Sequence, residues 1–141
     1  MPFSYKTVAE LVDVAGDCLA AAANEEPALL YRAWQTIAEL PPAVRKSLLP
    51  GFPTHQQFDK LMRAGAHESA AIRLLGSKLG YIASRSPDGT HLISINLPGL
   101  DELVFEAESL ALGLSAGLLT GLQTLFERTA ATEMPTASQL N

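Results

Sequence analysis

Few residues of this chain could do chemistry, and they are widely spaced. The histidines are His55, His67 and His91, and the single cysteine is Cys18. No His-x-x-x-His or Cys-x-x-Cys spacing brings two such ligands onto one helix face or turn, so the sequence offers no metal site. His67 and Glu68 are adjacent, and neighbours on a helix point in different directions. Gly113-Leu-Ser-Ala-Gly117 has the Gly-x-Ser-x-Gly spacing, but it lies inside a long helical run and not at the strand-to-helix turn that an elbow needs to raise a serine nucleophile. Gly76-Ser-Lys-Leu-Gly80 resembles part of a phosphate loop without its full spacing. Cys18 lies among alanines with no basic neighbour to lower its pKa, so it reads as a packed residue. No cofactor is implied.

Electrostatics offers one lead. Residues 45–91 carry seven basic side chains against three acidic, a net of +4, while residues 1–44 and 92–141 carry −4 and −5. Lys60, Arg63, Arg73, Lys78, Arg85 and His91 are therefore the candidates for a patch that takes a phosphate, a carboxylate ligand or an acidic partner protein. The bland reading is that these charges balance acidic neighbours within the fold. The acidic run Asp101, Glu102, Glu106 and Glu108 reads first as a solvated turn with negative charge at a helix start, and second as a cation site. A net charge of −5 with sparse aromatics argues against nucleic acid as a partner. The opening MPFSYKTVAE lacks a basic-then-apolar secretion pattern, and one cysteine cannot form an internal disulfide, so a cytoplasmic location is expected.

The elements that must position these groups can be read from periodicity and punctuation. Thr7-Val-Ala-Glu10 fits a capping box, predicting a first helix from Thr7 with Val8, Leu11, Val12, Ala15, Leu19 and Ala22 inward. A second helix is predicted from about Glu26 to Leu40, ended by Pro41-Pro42, with Leu30, Trp34, Ile37 and Leu40 as its stripe. Pro42 opens a short helix through Leu49, and Pro50-Gly-Phe-Pro53 is a stiff turn. Thr54-His-Gln-Gln57 starts another helix, stopping near Gly65, and 66–79 fits either one more helix ending around Gly76, the favoured reading, or an early lead into a strand. Two alternating segments, 81–86 and 91–97, flank Pro87-Asp-Gly89 and predict a β-hairpin, and Leu103–Glu106 reads as a third strand. A long helix over about 108–131 follows, then a frayed tail at 135–141. The sum is a single α+β domain over 1–134. It comprises a helical half (about 7–79), a small three-stranded antiparallel sheet (about 80–106) and a long C-terminal helix packed on it.

That helix contains LALGLSAGLLTGLQTLF, without a charge between Glu108 and Glu127. It is barely long enough to span a bilayer. Around the helix, Leu110, Leu114, Leu118, Leu122 and Leu125 fall on one side, and Ser109, Thr120, Gln123 and Thr124 collect with the glycines on the other. Such sorting, with no aromatic belt or basic flank, argues for a soluble helix with its leucines on the sheet and against a membrane span. Gly113, Gly117 and Gly121 then form a small-residue ridge for close approach of another helix. The candidates are the alanine-rich first helix (Ala15, Ala20 to Ala23) and the same helix of a second subunit. The functional expectation is a cytoplasmic binding or assembly protein, leaning away from enzyme, with a second copy of itself as partner. The alternative is a domain or small enzyme that holds an anionic ligand between the hairpin and the helices through Arg73, Arg85 and His91.

Overall fold

The structure, a computed structural model, describes residues 5–133, so the expected tail at 135–141 lies outside the described residues. Its elements run α1 (Tyr5–Ala20), a 3-10 turn (Ala23–Glu25), α2 (Glu26–Ala38), α3 (Pro42–Leu48), α4 (His55–Arg63) and α5 (His67–Leu74). They continue with β1 (Gly80–Arg85), β2 (His91–Asn96), β3 (Leu103–Ala107) and α6 (Leu110–Glu133). The molecule is α+β, with an antiparallel sheet in the order β1-β2-β3 and the long helix packed on it.

Local chemistry explains most boundaries. At α4 the capping box forms in full: Thr54 Oγ1 accepts from the Gln57 amide at 3.2 Å, and Gln57 Oε1 accepts from the Thr54 amide at 3.0 Å. In the hairpin, Gly89 takes a φ of +91°, and the Ser86 amide donates to the Thr90 carbonyl at 2.9 Å across the loop. The segment after α5 closes on the turn before α4, where the Ser77 amide donates to Pro50 O at 2.7 Å. Gly76, at φ +68°, is required there twice over, since a Cβ would lie 2.6 Å from the Pro50 carbonyl oxygen.

Two expectations are corrected near the N-terminus. Helix α1 is already formed at Tyr5, so Thr7 lies inside it and does not cap it. Its buried stripe is Leu11, Val14, Ala15 and Cys18, while Val12 and Leu19 are exposed. Both stripes satisfy helical spacing; the one used is rotated toward Val14 and Cys18 because α1 packs along α6.

The larger correction concerns α6. It is buried all round from Ala111 to Leu119, with α1, α2 and α5 on one side and β2 and β3 on the other. Its glycines face the sheet. A Cβ at Gly113 would lie 2.2 Å from Ile93 Cδ1, at Gly117 2.6 Å from Ile95 Cδ1, and at Gly121 2.6 Å from Leu97 Cδ1. The ridge therefore receives the side chains of β2 and its continuation, and neither a helix of this chain nor one of a second copy can occupy it. The leucines turn toward the helices. The physical reason is that the large residues of the interface sit on the strand, Ile93, Ile95 and Leu97, so the helix must be small where they enter. The window Leu110–Thr129 has a mean hydropathy of 1.3 and would pass as a membrane span by length and composition, yet 67% of it is buried inside the fold.

Candidate binding cleft

The chain closes around a cleft of about 660 Å³ where α1 ends and three helices begin. The end of α1 contributes Cys18 and Leu19, the following turn Ala21 and Ala23, and the hairpin Thr90 and His91. Glu26 enters from the first turn of α2, Glu68 from the first turn of α5, and Glu106 to Leu110 with Leu112 from the β3–α6 junction. Of the carboxylates, Glu106 sits on the β3 edge, and strand alternation places its side chain toward the far face of the sheet.

Ser109 organises the floor. Its hydroxyl accepts from the Leu112 amide at 3.1 Å, which caps α6, and donates to Glu26 Oε2 at 3.1 Å. The other oxygen of Glu26 faces His67 Nδ1 at 3.3 Å. This order, serine to carboxylate to histidine, inverts the one needed for nucleophilic activation, where the imidazole stands between. The same contacts tie the starts of α2, α5 and α6 together. His91 Nδ1 is buried without a hydrogen-bond partner among the described residues. Burial, reinforced by the charge of Asp17, pushes the Cys18 thiol up to about 12, so it stays protonated and unreactive at neutral pH.

Helix starts carry partial positive charge, about half a unit each, which explains why carboxylates gather here. Three starts offset roughly 1.5 charges. Glu26, Glu68 and Glu108 bring three formal negative charges, and no lysine or arginine among the described residues lines the cleft. The balance is negative. Among the described residues no three of His, Cys, Asp or Glu stand close enough to hold a metal ion, so the charge is spread along the walls instead of focused on a point.

Of the expected anion-binding residues only His91 lines this cleft. Lys60 and Arg63 are exposed on α4, where Arg63 pairs with Asp59 at 2.8 Å. Arg73 is exposed on α5, and Lys78 Nζ donates to the Ser47 carbonyl at 3.4 Å. Arg85 lies opposite His91 in the hairpin register, with its guanidinium reaching toward Gly89 at the loop. These side chains occupy separate elements and do not share the cleft. Asp101 and Glu102 of the acidic run also stay outside it.

A second cluster, absent from the reading of the sequence, joins α2 to α4. Trp34 stacks with Phe52 and meets His55 edge-on at 5.0 Å between centroids, and its Nε1 donates to Pro53 O at 3.0 Å. Beside it, the Tyr31 hydroxyl donates to Asp59 Oδ1 at 2.5 Å. That bond holds the Asp59 carboxyl below the usual carboxylate range and raises the Tyr31 phenol. Trp34 was visible as an apolar position of the second helix, but nothing in the spacing pairs Tyr31 with Asp59 across 28 residues. Likewise nothing in the spacing joins Glu26 to Glu68, and only the topology brings them to one cleft. Compared with protein-family models, curated protein sequences and solved structures, the chain shows no match.

Proposed function

We propose that the protein is a binding protein whose cleft between hairpin and helices takes a small organic cation with more than one positive centre, of the polyamine type. The observation that carries this is the lining, with the carboxylates of Glu26, Glu68 and Glu108 present and no lysine or arginine among the described residues. A volume of about 660 Å³ falls in the range of small-molecule sites. Carboxylates distributed along the walls suit an extended cation better than a single ion. Binding is favoured over catalysis because the two nucleophile candidates in the cleft are engaged. Cys18 is held protonated, and the Ser109 hydroxyl is committed to capping α6. The sequence-based alternative, an anionic ligand on Arg73, Arg85 and His91, loses support because those residues do not converge.

The test is calorimetric titration of the full chain with spermidine, magnesium and citrate at low and moderate salt. Saturable spermidine binding is expected, weakened at least about tenfold in the double variant E68Q/E108Q, since charged hydrogen bonds contribute about 1.5–3 kcal/mol each. Citrate binding in preference to spermidine would overturn the proposal, as would spermidine binding unchanged in the double variant.

A further inference from the structure

The two edges of the sheet are built differently. At β3 the edge carries Glu106, preceded by Asp101 and Glu102 and followed by Glu108. Carboxylates along an edge keep a second strand from pairing there. On β1, by contrast, Gly80-Tyr-Ile-Ala-Ser-Arg85 contains no carboxylate, lysine or proline, and every one of its residues is exposed. Helix α6 packs on β2 and β3, leaving β1 with its neighbour β2 as main support. A six-residue strand open on its outer edge, with Arg85 at its end as the one charge it carries, is a pairing template.

The hairpin register says which backbone groups that edge offers. Ser86 and Thr90 form the bonded pair that closes the loop. Bonded and non-bonded pairs alternate along an antiparallel ladder, so Ser84–Leu92, Ile82–Ser94 and Gly80–Asn96 are the pairs that exchange bonds. The N–H and C=O groups of Tyr81, Ala83 and Arg85 therefore point away from β2, toward the open edge. These three positions are symmetric about Ala83. A two-fold axis there sets Ala83 against Ala83 of another copy and Tyr81 against Arg85 at both ends, with all three pairs in bonding register. The smallest side chain of the three sits at the axis. Arg85 meets an aromatic ring across the junction, and the two arginines stand at opposite ends of it. Registers centred on Ile82 or Ser84 would use the same outward groups but form two bonded pairs instead of three, Tyr81 with Ala83 or Ala83 with Arg85, so the axis at Ala83 satisfies the most edge groups.

We propose that β1 pairs antiparallel with β1 of a second copy about a two-fold axis at Ala83, joining two sheets into one. This goes beyond the ligand reading and does not depend on it. Sedimentation of the full chain across a concentration series tests it, together with two variants. In A83C, the bonded pair at the axis brings two Cα atoms to about 5.5 Å, within disulfide range. Mild oxidation should yield a covalent dimer, whereas E106C at the other edge should not. In A83P, the edge N–H is lost while the β1–β2 bonds remain, so dissociation should strengthen at least about tenfold with the circular dichroism spectrum unchanged. A monomer at every concentration overturns the proposal. So does a dimer that A83P leaves intact and A83C fails to cross-link, or open-ended polymers built by β1 on β3.

Discussion

Substituting Gly113 by alanine tests the placement of α6 against the sheet most sharply. The new Cβ would sit 2.2 Å from Ile93 Cδ1 and 2.9 Å from Ala107 Cβ. The first contact is with the end of a flexible side chain, but Ala107 Cβ is fixed to the β3 backbone, so strand or helix must shift. Overpacking of this kind costs about 1–3 kcal/mol, and alanine recovers about 0.5–1 kcal/mol of helix propensity. The net expectation is a loss of about 0.5–2 kcal/mol, or a melting temperature lower by roughly 2–8 °C for a chain of this size. Gly121 supplies the internal control. Its neighbours are the branches of Leu97, which can rotate away, so G121A should fall within about 0.5 kcal/mol of the wild type. Chemical denaturation of G113A, I93V and the double variant completes the test. I93V removes Cδ1 and alone costs about 0.5–1.5 kcal/mol, but in the G113A background it should cost less, because it relieves the clash. A G113A protein as stable as the wild type, or strictly additive costs in the double variant, would refute the packing described.

Three further outcomes follow from the same geometry. In Y31F the bond to Asp59 is lost. Since that bond lowers the aspartate and raises the phenol, its stabilisation is present above the unfolded aspartate value near 3.9 and below the unfolded tyrosine value near 10. The stability gap between wild type and Y31F should thus be widest between about pH 5 and 9, closing as pH falls through the folded Asp59 value and as it rises past that of Tyr31. Denaturation midpoints across pH measure this. Cys18 should resist a thiol reagent at pH 8 in the folded protein and react fully in denaturant, since burial holds the thiol protonated up to about 12. T54A should cost about 1 kcal/mol by denaturation, because both halves of its capping box are formed.

Much of the fold was legible where short-range chemistry decides. The Thr54 cap, the Pro87-Asp-Gly89 loop, the proline stop after α2 and the alternation of β2 each depend on residues close in sequence, and each stands in the structure. Orientation was less legible. The apolar stripe of α1 had two solutions of equal periodicity, and α6 is apolar enough on all sides that leucine sorting pointed the wrong way. The glycines became intelligible only once Ile93, Ile95 and Leu97 were seen entering the ridge. The cleft was half visible. A pocket between hairpin and helices was the alternative reading and was given Arg73, Arg85 and His91, of which only His91 lines the cleft. Charge totals per third of the chain average over residues that the fold separates, whereas Glu26, Glu68 and Glu108 meet because three helix starts meet.

The most direct measurement is amide chemical-shift mapping of the isotope-labelled full chain during titration with spermidine, with citrate as the comparison. Perturbations that saturate and concentrate on Glu26, Glu68, His91, Glu108 and Ser109, and that are lost in E68Q/E108Q, are the predicted result. Shifts confined to Lys60, Arg63 and Arg73 with citrate, or no saturable change around the cleft with spermidine, would contradict it.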